Sequence, residues 1–239
     1  MAKLIILTGA GLSAESGVRT FRDSNGLWEN HSIDVVCNGA TWRANYDLVQ
    51  KFYNDRRTQL ATVEPNAAHR MIAAWQERYD TVILTQNVDD LLERAGCRDV
   101  VHLHGFLPEM QCVDCSHVWN IGYAAWEKGA RCNQCVSIKG VRPNIVFFGE
   151  MAPKYEIMWD ELGKATMRDV LLVIGTSGVV LPVAHMAAQF RGYTILNNLA
   201  AEPAIDGNAF DHVIYEPATR ASAVIDGILK ERLRGAEKH

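Results

Sequence analysis

Three runs of side chains in one stretch of the sequence have the types and spacing to do chemistry. Gln86-Asn87-Val88-Asp89-Asp90 supplies amides and carboxylates, His102-Leu103-His104-Gly105 supplies two imidazoles, and Cys112/Cys115 with Cys132/Cys135 supplies two Cys-x-x-Cys pairs. Imidazole titrates near neutral pH and suits proton transfer. The paired cysteines have intra-pair spacings and an intervening gap that fit a ribbon-like tetrahedral zinc site. With all four positions filled by protein, no place is left for a zinc-bound water, so the ion would be structural and would hold a small module together. The adjacency of the three runs points to an enzyme whose reactive wall is buttressed by a metal knot.

These residues need elements to position them. Apolar runs of strand length occur at residues 4–7, 82–85, 100–103, 145–148, 170–174, 193–196 and 212–215. They are short and near-continuously apolar, as strands buried on both faces should be. Helical stretches fit between them at 47–60, at 66–78 after Pro65, at 89–95 before Gly96, from Pro182 to about 190, and at 218–233. Strands alternating with helices predict an α/β fold, a doubly wound parallel Rossmann-like sheet. Residues 29–64 and 106–141 break the alternation. They are read as excursions forming a smaller, zinc-binding lobe, with residues 1–28, 65–105 and 142–239 forming the large lobe and a ligand cleft between the two.

Gly9-Ala10-Gly11-Leu12-Ser13-Ala14 follows the first strand, where small residues let backbone approach a phosphate. A dehydrogenase would next need a second strand ending in an acid. The chain instead runs Glu15-Ser16-Gly17-Val18-Arg19-Thr20-Phe21-Arg22-Asp23, then Asn25-Gly26-Leu27-Trp28, which disfavours hydride transfer.

Composition narrows the field. The chain has 239 residues, 48% hydrophobic and 22% charged, within the range of ordinary globular proteins. A net charge of -4 disfavours nucleic acid as the main partner, because phosphate binding needs a basic face. No run reaches the roughly 18 apolar residues of a membrane helix. The opening Met-Ala-Lys-Leu-Ile-Ile-Leu is too brief for a signal peptide. No membrane partner and a reduced, cytoplasmic location are expected, with the four paired cysteines on metal. Cys37 and Cys97 read as small buried hydrophobes.

Gly9-Ala10-Gly11-x-Ser13-x-x-Ser16-Gly17, Phe21-Arg22 and Gly26-Leu27-Trp28 resemble the opening of the sirtuins, the NAD-dependent protein deacylases. Gln86-Asn87-x-Asp89, His102-x-His104-Gly105, the cysteine pairs, Arg142-Pro143, Phe148-Gly149-Glu150 and Gly175-Thr176-Ser177 recur in that family's order along essentially the whole chain. The resemblance implies one catalytic domain over residues 1–239, NAD as cofactor, one structural zinc ion and acyl-lysine proteins as substrates. In the family reaction the acyl oxygen attacks the nicotinamide-bearing carbon of NAD, nicotinamide leaves, and a histidine base helps a ribose hydroxyl attack the acyl carbon.

By the same resemblance His104 is the base, and Asn87 and Asp89 orient the nicotinamide half and a water, although both also make good helix caps. His102 faces the other side of the strand and reads as structural. Cofactor contacts are implied for Gly9, Ala10, Gly11, Ser13, Ser16, Phe21, Arg22, Trp28, Gln86, Asn87, Val88, Asp89, Gly175, Thr176, Ser177, Asn198, Leu199 and Ala218. Asp90, Leu92 and Gly178 depart from many relatives. Tyr53 and Arg56 fall three apart on one helix, so they share a face, and a phenol beside a guanidinium can receive a carboxylate. The pair resembles that of sirtuins removing succinyl and malonyl groups, as does Arg19-Thr20, and implies acidic-acyl preference with residual deacetylation. Other readings are a plain deacetylase, a mono-ADP-ribosyltransferase, or an NAD- or ADP-ribose-binding module without turnover.

Overall fold

The computed structural model describes residues 2–18, 27–28 and 31–238. In chain order its strands are β1 (Lys3–Thr8), β2 (Leu27–Trp28), β3 (His31–Ser32), β4 (Asp80–Thr85), β5 (Val101–His102), β6 (Gly105–Cys112), β7 (Val118–Asn120), β8 (Val141–Ile145), β9 (Val170–Ile174), β10 (Tyr193–Asn198) and β11 (His212–Tyr215). Its helices are α1 (Gly11–Ala14), α2 (Ile33–Val36), α3 (Tyr46–Leu60), α4 (Ala67–Arg78), α5 (Leu91–Arg94), α6 (Tyr155–Gly163), α7 (Val183–Gln189) and α8 (Ala218–Arg232).

Six strands form an all-parallel sheet in the order β11-β10-β9-β1-β4-β5. From β1 the chain builds outward through β4 and β5, then returns to the other side of β1 and builds outward again. That reversal opens a crevice beyond the C-terminal ends of β1 and β9, where open parallel sheets hold ligands. Side chains alternate between faces, and both faces are covered. Leu4 and Ile6 pack with Ile72 and Trp75 of α4 and Ile225 and Leu229 of α8, whereas Ile5 and Leu7 pack with Met158 of α6 and Val183 of α7. This double burial is why the strands read as unbroken apolar runs.

The doubly wound sheet foreseen from the sequence is present, with two differences. Residues 145–148 are not a strand of it. The extended segment is β8, which ends at Ile145 and pairs antiparallel with β6 in a second sheet, ordered β7-β6-β8. An apolar run reveals strand propensity but not which sheet it joins, and Pro143 fits because β8 is an edge strand. The second difference is α6, which the sequence reading omitted. Its buried face is thin: Met158 is fully buried, with Tyr155 and Leu162 half-buried beside it.

The small sheet carries the cysteines. Its own core consists of Met110, Cys112, Cys132 and Val141, too few side chains to hold a module without a further tie. The helix α3 braces it against the rest, because Gln50 Nε2 donates to the Val141 carbonyl at 2.7 Å and Tyr46 donates to the Ile138 carbonyl at 2.9 Å. No helix among the described residues is long and apolar enough to cross a membrane.

Candidate active site and metal centre

Most of the expected site residues stand at the C-terminal edge of the parallel sheet. Gly9–Gly11 follow β1, Gln86–Asp89 follow β4, His104 follows β5, Gly175–Ser177 follow β9, Asn198 ends β10 and Ala218 opens α8 after β11. The turns after β1 and β9 touch. Gly9 N–H donates to the Ile174 carbonyl at 2.9 Å and Gly11 N–H to the Gly175 carbonyl at 2.8 Å. A Cβ on Gly11 would lie 2.7 Å from the Gly175 Cα, so this glycine serves backbone-to-backbone approach at the crevice. The helix α1 is a single turn, so the loop offers local N–H donors rather than a long helix dipole.

Several donors there are unspent. Among the described residues the N–H groups of Ala10 and Ser177 have no protein acceptor. Ser16 Oγ is shielded from water and has no partner among the described residues. Unsatisfied donors around a backbone cradle fit the phosphates and ribose of a nucleotide such as NAD. Asn198 is differently placed: its amide accepts from Thr176 N–H at 3.0 Å and donates to the Thr176 carbonyl at 2.9 Å, so it braces the β9 turn. Leu199 is exposed and Ala218 is buried. Phe21 and Arg22, with Arg19-Thr20, lie outside the described residues, and Trp28 is placed only as backbone in β2.

A buried polar network ties the Asn87–Asp89 turn to the glycine-rich loop. Ser13 Oγ donates to Asp89 Oδ2 at 2.9 Å and accepts from Asn87 Nδ2 at 3.1 Å. Behind Ser13 stands His69, fully buried. Its Nδ1 accepts the Asn66 N–H at 3.3 Å, which leaves Nε2–H to donate to Ser13 Oγ at 3.4 Å. Asp89 Oδ1 also accepts Leu91 N–H at 3.2 Å, so it anchors α5 as well. Burial raises the Asp89 carboxyl above its usual range, against the lowering effect of the Ser13 hydroxyl. Gln86 Nε2 donates to Thr176 Oγ1 at 3.1 Å, linking the edges of β4 and β9.

His104 is half-buried. Its Nδ1 lies 3.1 Å from the Gln86 carbonyl and its Nε2 lies 2.7 Å from the Tyr155 hydroxyl. Burial pushes its pKa down, so the ring is neutral at pH 7 and able to accept a proton. His102 faces away as expected and is buried between the Asn87 carbonyl at 2.9 Å and Glu93 Oε1 at 2.7 Å.

Tyr53 and Arg56 line one small cavity of about 50 Å3 with Val18, Gln59, Leu60, Val88, Asp89 and Leu107. Tyr53 stacks on Phe147 with centroids 5.8 Å apart, and the Arg56 guanidinium lies 5.8 Å from the Phe52 ring. The expected carboxylate-binding pair therefore shares a cavity with Val88 and Asp89.

The four cysteines converge. All four sulfurs lie within 4.8 Å of one another, with Cys112–Cys135 at 3.5 Å and Cys115–Cys132 at 3.7 Å. These distances far exceed a disulfide of about 2.05 Å. They match the roughly 3.8 Å between thiolates sharing a tetrahedral zinc at about 2.3 Å. Ser116 (φ 62°) and Val136 (φ 57°), each just after the second cysteine of a pair, take left-handed backbone, as tight metal-binding knuckles require. The donor set fits structural zinc.

The departures noted in the sequence have local causes. Asp90 accepts a hydrogen bond from Tyr123, tying α5 to the cysteine module, and Leu92 is buried in the core under α4. Gly178 has φ +71° and a Cβ there would meet Ile205 Cγ1 at 2.5 Å. Sequence reasoning missed Tyr155, His69 and the buried Arg57. The first two have a signal in principle: Tyr155 opens a helix, and His69 lies three after Asn66, the spacing of a capping box.

Comparison with known proteins agrees with this geometry. A model of the Sir2 family matches residues 9–182. An NAD-dependent protein deacylase of Helicobacter hepaticus is 42% identical over 253 residues, covering 97% of this chain and 98% of that protein. The crystal structure of a Sir2 homologue–NAD complex superposes with a TM-score of 0.82 at 32% identity, covering 96% of this chain and 90% of that one. Sir2Tm bound to a propionylated peptide gives 0.74 at 26% identity, covering 95% and 92%. The family match spans most of the sequence and the deacylase relative aligns nearly end to end, so this chain belongs to the Sir2 family, the sirtuins.

Proposed function

We propose that the protein is an NAD-dependent protein-lysine deacylase that favours acyl groups ending in a carboxylate, succinyl and malonyl, and also removes acetyl. The observation that carries the deacylase reading is His104: a neutral imidazole at the sheet's ligand edge, its Nδ1 tied to the Gln86 carbonyl and its Nε2 turned away from that tie. Bound NAD supplies an electrophilic ribose carbon with nicotinamide as leaving group. The unspent Ala10 and Ser177 N–H groups and Ser16 Oγ are suited to hold its phosphates and ribose. Asn87 and Asp89, fixed through Ser13, orient the nicotinamide half, and His104 Nε2 accepts the ribose hydroxyl proton when the acyl carbon is attacked. The four thiolates hold zinc away from this proton traffic, and a reduced cytoplasm suits them.

The acyl preference rests on Tyr53 and Arg56 sharing the cavity beside Asp89. A forked guanidinium donor offsets the desolvation of an incoming carboxylate and its repulsion by Asp89. A mass-spectrometric assay comparing acetyl, malonyl and succinyl peptides with NAD tests both parts. We expect His104→Tyr to abolish acyl transfer to ADP-ribose with zinc retained; full activity in that variant would remove His104 from the mechanism. We expect Arg56→Met to lower kcat/KM for succinyl peptide about a hundredfold and for acetyl peptide far less, the cost of losing a charge-assisted pair. Equal losses on both substrates would rule out the carboxylate receptor.

A further inference from the structure

The Tyr155 hydroxyl stands 2.7 Å from His104 Nε2, with the two ring centroids 5.7 Å apart. The helix α6 fixes it there. Met158 and Leu162, three and seven residues on, share its face and pack into the core below the sheet, so the helix cannot rotate without exposing them. The other nitrogen, Nδ1, faces the Gln86 carbonyl, which can only accept. The hydrogen therefore sits on Nδ1, Nε2 keeps its lone pair, and the phenol is the donor. Gln86 in turn is held in place, because its N–H donates to the Thr8 carbonyl at 2.9 Å and its side chain to Thr176.

We propose that Tyr155 is a positioning residue for His104. The phenol and the Gln86 carbonyl clamp the imidazole between them in the Nδ1–H tautomer, and the phenol oxygen holds the place that the ribose hydroxyl takes at Nε2 when acyl transfer begins. The idea rests on His104 being the base in the function proposed above. A phenol and an alcohol each donate one hydrogen bond to that lone pair, so the exchange gives up one hydrogen bond and gains another. Without the phenol, nothing among the described residues holds the Nε2 side of the ring.

The test begins with ligand-free protein isotope-labelled in its histidine rings. Long-range proton–nitrogen correlation spectra read the tautomer of His104, and the spectrum of His104→Gln identifies its signals. Wild-type protein should carry the hydrogen on Nδ1, and Tyr155→Phe should raise the Nε2–H population about threefold or more, the effect of losing one hydrogen bond. The same variant should lower kcat about twofold, because rings carrying their hydrogen on Nε2 cannot take the ribose proton, while KM for NAD stays unchanged. A wild-type ring protonated at Nε2, an unchanged tautomer ratio in Tyr155→Phe, or a wild-type kcat in it each overturns the role of Tyr155. Turnover of His104→Gln separates the two ideas. If that variant works like wild type, the base assignment fails and the proposal with it; if it is inactive while Tyr155→Phe keeps the wild-type tautomer ratio, only the role of Tyr155 fails.

Discussion

Burial pushes the His69 imidazole down to about 4, with Arg70 adding to the effect, so His69 stays neutral while it supports Ser13 and Asp89. In the unfolded chain the same ring titrates near 6.5. Between those values the unfolded state binds a proton that the folded state refuses, so stability is lost as pH falls from about 6.5 to about 4. Integrated from about pH 8 to about pH 5, this one residue should cost about 2 kcal/mol. Urea unfolding of wild type and His69→Gln at both pH values checks it. The variant, which keeps a hydrogen-bonding side chain but no titration, should lose less stability on acidification by that amount. An identical pH dependence would mean His69 is not the acid-sensitive group. At this scale the sequence exposed the chemistry but not its supports. His104, the Asn87–Asp89 turn and the cysteines stand in compact motifs, whereas Ser13 meets His69 from 56 residues away and Tyr155 meets His104 from 51 away, contacts that only the fold creates.

Among the elements, α3 joins the two sheets, and its least legible residue is Arg57. The guanidinium is fully buried; Nε donates to the Ala124 carbonyl at 3.2 Å, Nη1 to the Leu107 carbonyl at 3.4 Å and Nη2 to Asn54 Oδ1 at 2.6 Å. It thereby pins α3 to the start of β6 and to the loop before the second cysteine pair, while Asn54 Nδ2 donates to the Trp126 carbonyl at 3.1 Å. Desolvation lowers its pKa to about 10, yet it remains protonated at neutral pH. Arg57→Met keeps the length but strands the buried Leu107 carbonyl and leaves the Ala124 carbonyl without its donor, so it should destabilise the fold by about 2–4 kcal/mol in urea unfolding, without altering the Tyr53/Arg56 face of the helix. A loss under about 0.5 kcal/mol would show those carbonyls rehydrate freely. In the sequence, Arg56 and Arg57 are adjacent and look alike; the helix turns one toward the cavity and the other into the protein. For the same reason β1, β9 and β11 could be read from their runs, but the sheet joined by β8 could not. That choice depends on pairing with β6 across the cysteine module.

On the scale of the whole molecule, the metal knot and the reactive edge are mechanically continuous. Strand β6 leaves His104 directly and ends at Cys112, the first thiolate. Val146 N–H donates to the His104 carbonyl at 2.9 Å, and Gly105 sits opposite Ile145 with φ +96°, a position where a Cβ would lie 2.1 Å from the Asn144 carbonyl oxygen. The module is held back onto the main body by Arg57 and by Tyr123 on Asp90. With a core of four side chains it has little cohesion once the four thiolates are no longer bridged. Zinc removal with a chelator should therefore melt the small sheet first and, through β6, loosen His104, while the parallel sheet with its double-sided core stays folded. Hydrogen exchange should show amides of residues 106–145 losing protection by about a thousandfold or more, with those of β1 and β9 unchanged, and deacylation falling at least about tenfold. Readdition of zinc should restore both together. Chelated protein that keeps full turnover after stoichiometric metal release would sever the link, leaving the cysteine module a passenger rather than a buttress of the site.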